Sequence, residues 1–207
     1  MRWTVLVGCV GLFAAATAQA ATLKDVQHEL AVVKYQTPDK DAREQKLNAL
    51  ADEAGQLAAS GDAEAKVWDA AVLALRAKLV GGTSALDDIR TAKTLLEEAI
   101  ATGAPSVKDG YADAILAALY GKAPGWPLSF GDHGEARKHF AAALKLNPDG
   151  IDVNFLDGEY LYDQGKMDEA RAALQKAVAA KSRKGRELAD NGRHAEAQAL
   201  LDKIGEQ

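Results

Sequence analysis

Cysteine is almost absent: the single one, Cys9, lies in the first ten of 207 residues. Beyond it no thiol remains, which excludes a disulfide scaffold, thiol catalysis and cysteine-ligated zinc. Proline is scarce, with 5 residues, and aromatic residues make up only 6%, so collagen-like and proline-rich readings fall away. Basic residues are outnumbered, 25 Lys+Arg against 30 Asp+Glu. That balance argues against a general nucleic-acid binder. Long alternating runs, the mark of half-buried strands, are missing. After residue 20 no apolar run is long enough to span a membrane as a helix. Catalytic signatures are missing too. There is no G-x-S-x-G, and His28, His133, His139 and His194 show no H-E-x-x-H or similar ligand spacing. His133 and His139 stand six apart, on different sides of one helix. Counted from Asp152, an EF-hand loop fails because Leu156 takes the fifth position and Asp157 displaces the glycine. The expectation is therefore a non-enzyme, with no catalytic residue, no cofactor and no metal.

What the sequence does have begins with an address. Met1-Arg2-Trp3 is a positively charged start, residues 4–16 are apolar or small, and Ala18-Gln19-Ala20 is an A-x-A cleavage site. Residues 1–20 read as a secretory signal peptide, with the mature chain starting at Ala21 in the periplasm or outside the cell. Leu6-Val7-Gly8-Cys9 resembles a lipobox. Lipidation of Cys9 would be the one route to a membrane.

Alanine is the commonest residue, and it is patterned. Ala-x3-(Leu/Phe)-x2-Ala occurs as Ala92, Leu96, Ala99, as Ala136, Phe140, Ala143, and as Ala170, Leu174, Ala177. A fainter copy is Ala51, Gly55, Ala58. Positions three and four apart share one helix face, so two alanines flank one large anchor where a neighbouring helix can approach. Such units cannot bury their faces alone and must stack.

This unit resembles the tetratricopeptide repeat, whose hairpin reads W-x2-L-G-x2-Y and then A-x3-F-x2-A and P. The copy over 151–184 offers Gly158 and Leu161, then Ala170, Leu174 and Ala177; it departs at Asn154, Asp157 and Ser182. The copy before it has Leu116, Ala117 and Tyr120, then Ala136, Phe140, Ala143 and Pro148. The resemblance implies an all-α, right-handed solenoid of about nine helices. Its parts would be a degenerate hairpin at 21–60, a repeat at 63–104, and a repeat at 108–150 with an inserted loop at 121–132. A repeat at 151–184 and a capping helix at 187–207 would complete it. Gly61-Asp62, Gly103-Ala104-Pro105 and Pro148-Asp149-Gly150 punctuate these units. Asp132-x-x-Glu135 reads as a capping box, and Asp149 and Asp152 as residues that help start the following helix.

The resemblance also implies a partner-binding groove. Its positions in the 151–184 copy are Asp152, Phe155, Glu159, Tyr162 and Asp163, an acidic and aromatic patch for a basic segment of a protein partner. In the copy beginning at Ala65 the same positions are Lys66, Asp69, Leu73, Arg76 and Ala77. Separately, the loop 121–131 holds Pro124-Gly125-Trp126-Pro127, then Phe130. Its aromatics either plug the gap between hairpins, or rim a pocket for an apolar or planar ligand, or anchor a partner. Lys181, Arg183, Lys184 and Arg186 form a basic run that stays solvated, pairs with acids of the same chain, or meets an anionic partner or membrane surface. The stretch from Leu119 to Asp152 is similar to exported bacterial tetratricopeptide proteins, and more weakly to the periplasmic component of some TRAP-type transporters. Two functions follow as expectations: a periplasmic protein-interaction scaffold, or a carrier of small apolar ligands with Trp126 and Phe130 at its pocket.

Overall fold

Helix starts are written in side chains. Thr22 accepts from the Asp25 amide and Asp25 returns the bond, a complete capping box. Asp39, Asp62 and Asp132 likewise accept from backbone amides of the first turns they precede. The computed structural model describes residues 21–82 and 84–206. The expected signal peptide and Cys9 lie outside them.

Ten helices make up the described residues, and no strand occurs among them. They are α1 (Leu23–Gln36), α2 (Lys40–Ala58), α3 (Ala63–Leu79), α4 (Ser84–Thr102) and α5 (Pro105–Lys108). Then follow α6 (Tyr111–Lys122), α7 (His133–Leu146), α8 (Ile151–Asp163), α9 (Met167–Ala179) and α10 (Glu187–Gly205). The count exceeds the expected nine by α5, a single turn opened by Pro105 at its first position, where proline loses no hydrogen bond. Gly121 and Lys122 complete α6, so the inserted loop is shorter than its expected bounds.

The helices pair as hairpins α1–α2, α3–α4, α6–α7 and α8–α9, and each hairpin packs on the next. The alanine triads are the reason. Ala92, Leu96 and Ala99 are fully buried, as are Ala170, Leu174 and Ala177. Ala136, Phe140 and Ala143 differ only in a trace of exposure at the phenylalanine. At Gly158 a Cβ would stand 2.7 Å from the Leu174 side chain, so α8 and α9 approach at a distance only glycine permits. The structure is an all-α, tetratricopeptide-like solenoid.

Two local expectations are corrected. Asp132 caps α7, but the box is half made: its own amide donates to the Tyr120 carbonyl, and Glu135 pairs with Lys138 instead. Helix α8 follows Gly150, which has no side chain to cap it, and Asp152 in its first turn pairs with arginines instead of capping.

The last helix does more than cap. Helix α10 packs on α9 and α8 and then reaches α1, the opposite end of the array. Lys34 and Tyr35 of α1 both donate to Glu196 of α10, at 2.7 and 2.9 Å. The approach is tight: a Cβ on Gly192 would lie 2.6 Å from the Tyr35 ring.

Candidate functional site

The first helices of the hairpins, α1, α3, α6 and α8, share a face, and α10 lies across part of it. This is where the expected partner-binding residues fall. Asp152 and Phe155 are buried, at 7% and 4% exposure. Arg193 of α10 explains both. Its Nε donates to Asp152 at 3.0 Å and its guanidinium sits 4.3 Å over the Phe155 ring. Arg183 donates to Asp152 at 2.7 Å and to buried Asp190 at 2.5 Å. Burial alone would raise the Asp152 carboxyl, but Arg193 and Arg183 outweigh it and hold it well below the usual carboxylate range.

The remaining acids are met in the same way. Glu159 is half-buried and accepts from Lys78 at 2.9 Å, with Lys122 at 3.5 Å. Burial works against its charge, yet those lysines keep its pKa low. Asp163 is exposed and pairs with Lys122 at 2.9 Å. Tyr162 is half-buried against the α8–α9–α10 core. The five residues therefore do not form an open acidic patch, because the chain's own cations neutralise it. Of the basic run, Arg183 is committed to this network, Arg186 stacks on Trp68 at 4.7 Å, and Lys181 and Lys184 are exposed.

Sequence reasoning missed Arg193, Lys34 and Glu196. A signal was present: Asp190, Arg193 and Glu196 recur every third residue, which sets three charges along one face of α10. A terminal helix with Asp190 fully buried in that stripe must find cations elsewhere in the fold.

Beside this network the same face encloses a cavity of about 350 Å³. Its walls are apolar, built from Leu30 of α1, Ala74 and Leu75 of α3, Ile89 of α4, Ile115 of α6 and Leu156 of α8. Lys34, Lys78, Lys122 and Arg193 also line it, with Glu159 the acid among them. Lys34 is held by burial, and then by the neighbouring Arg193 charge, at a pKa of about 8.

The inserted loop meets this cavity through Ala123 and Pro124, not through the aromatics expected there. Phe130 packs edge-on against Tyr120, ring centres 5.4 Å apart. Trp126 is 89% exposed and Leu128 58%. Phe130 thus packs inward while Trp126 faces solvent. The loop is nevertheless tied down. The Gly131 amide donates to the Pro124 carbonyl, the Leu128 amide to Gly125, and Arg90 of α4 to the Leu128 carbonyl at 2.9 Å.

Two buried carboxylates, Asp152 and Asp190, share Arg183. The arginine keeps them as ion-pair partners, which does not suit a proton-sharing acid–base pair. No group of three or more histidines, cysteines or acids that could hold a metal occurs among the described residues. No described helix is long and apolar enough to cross a membrane.

Residues 128–184 match a family described as tetratricopeptide repeat. No curated protein matches the sequence. The matched span takes in α7, α8 and α9, and the same buried Ala-Leu-Ala triad recurs before it in α4. The match shows tetratricopeptide repeats over 128–184, and the hairpin stacking that continues before it is of the same kind.

Proposed function

We propose that this chain is a non-enzymatic scaffold, exported to the periplasm, that docks a protein partner through its Trp126 loop. Tetratricopeptide domains generally bind protein partners, and the family is typically non-enzymatic. Export rests on the leader pattern of residues 1–20. The observation that carries the docking site is Trp126 at 89% exposure on a loop held by backbone bonds and Arg90. Burying a tryptophan removes roughly 200 Å² from water. At about 25 cal/mol per Å² that is a gross gain near 5 kcal/mol, before the cost of association. Because the loop is already ordered, docking loses little further conformational freedom. Aromatic anchors of this kind dominate interface energetics.

The acidic groove residues support the reading less, since Asp152 and Phe155 are covered and Glu159 and Asp163 are matched by lysines. The test is a photo-crosslinking residue placed at Leu128, and separately at Leu146, another exposed apolar position. A discrete protein adduct from position 128, absent from position 146 and lost when Trp126→Ala is added, is the expected result. No adduct, or one indifferent to Trp126→Ala, overturns the loop assignment.

A further inference from the structure

The docking reading leaves the cavity unused, and its lining is chemically one-sided. One wall is continuous hydrocarbon from five helices. The charged residues at its edge are four cations and one carboxylate. Glu159 serves two ammonium groups at once, Lys78 at 2.9 Å and Lys122 at 3.5 Å, and Lys122 also pairs with Asp163 at 2.9 Å. An ammonium has three donors, so each keeps at least one donor for another anion. Their side chains are 51% and 39% exposed, which leaves them reachable from solvent. Lys34 and Arg193 stand further in, with side-chain exposures of 18% and 13%. Their acids, Glu196 and Asp152, are shared with Tyr35 and Arg183.

Shape narrows the occupant. The volume lies in the range of small-molecule sites. Contact between α10 and α1 closes one end of the face, so an extended peptide has no continuous track. A neutral apolar molecule would make no use of the donors that these ion-paired cations still have free. A cation would meet four like charges. An apolar chain that ends in a negative charge satisfies both parts, because charge-assisted hydrogen bonds to ammonium are strong and the hydrocarbon wall has no polar demand.

We propose that this cavity binds a single alkyl chain bearing one anionic head group, with the head at Lys78 and Lys122 and the chain along Leu75, Ile89 and Leu156. A free fatty acid and an anionic lysophospholipid share that chemistry. The site goes beyond the docking reading and uses none of its residues.

The test is titration calorimetry on the purified protein with dodecanoate, dodecan-1-ol and dodecyltrimethylammonium, each below its micelle concentration. One dodecanoate per chain is expected, with the alcohol at least tenfold weaker and no binding of the cation. Lys78→Met combined with Lys122→Met and Glu159→Gln, which leaves no buried carboxylate stranded, should weaken dodecanoate at least tenfold while the melting temperature stays close to that of the parent. Ala74 and Ala118 both line the cavity, so Ala74→Leu with Ala118→Leu should fill it and abolish binding. Alcohol as tight as dodecanoate, or full affinity in the lysine variant, overturns the anionic head. No dodecanoate binding by the folded parent overturns the site. A lauroyl lysophosphatidylglycerol arm separates the sources: tighter than dodecanoate supports a lipid, weaker supports a free acid. Trp126→Ala should bind dodecanoate like the parent, so loss of partner crosslinking and loss of ligand are read independently.

Discussion

Two inner helices each bury an aspartate, and the two are treated in opposite ways. Asp152 of α8 is gripped by Arg183 and Arg193 and stays ionised far below the usual range. Asp69 of α3 is 5% exposed, its Oδ1 finds no hydrogen bond, and burial, only partly offset by Arg76, pushes its pKa up to about 6. The difference is α10. Helix α10 supplies Arg193 and the segment before it supplies Arg183, and both act at the α8 end. Arg76, the cation nearest to serving Asp69, is spent on Asp88 in a two-pronged pair at 2.6 and 2.9 Å. Burial thus sets a demand on both aspartates, and the availability of a guanidinium decides whether the result is an ion pair or a reluctant acid.

The largest effect should come from breaking the satisfied member. Arg193→Ala leaves Asp152 with one arginine and uncovers Phe155; a loss of about 3–5 kcal/mol in urea unfolding is expected. A loss under about 1 kcal/mol would mean that Arg183 alone suffices. Asp69→Asn should act the other way, stabilising by about 1–2 kcal/mol at pH 7. The sign follows from the raised pKa: the folded state holds the Asp69 proton more tightly than the unfolded chain. That contribution is complete below pH 4 and is lost as pH rises through about 6. The gain in melting temperature of Asp69→Asn over the parent should therefore vanish at pH 4. A pH-independent gain would place its origin outside this carboxyl. The smallest effect belongs to the exposed loop. Trp126→Ala should change stability by less than about 0.5 kcal/mol, although it abolishes crosslinking at position 128. A marked drop in melting temperature would make Trp126 a packing residue.

The fold was legible because it depends on local spacing. Each Ala-x3-(Leu/Phe)-x2-Ala triad reports a buried helix face without reference to any distant residue. The site was less so. Family position puts Asp152 and Phe155 in a groove, but in the structure both are covered, and the covering depends on Arg193, more than thirty residues downstream and in a helix that reads only as a cap. Trp126 and Phe130 sit in one loop with similar chemistry, yet one is out and one is in. What separates them is Tyr120, a partner for Phe130 that no local pattern names. Helix α5 escaped because a single turn after Gly103-Ala104-Pro105 has no periodicity to detect. The cavity is a gap between five helices, and a gap has no residue of its own.

The grip of α10 on α1 also bears on how this array comes apart. A linear solenoid is a row of nearest-neighbour contacts, and its end repeats can peel away while the middle persists. Here the first helix and the last hold one another through Glu196, Lys34 and Tyr35. Among the described helices the row closes on itself, and the loss of either α1 or α10 uncovers the other. Such closure predicts one cooperative unfolding transition rather than a fraying from the edges.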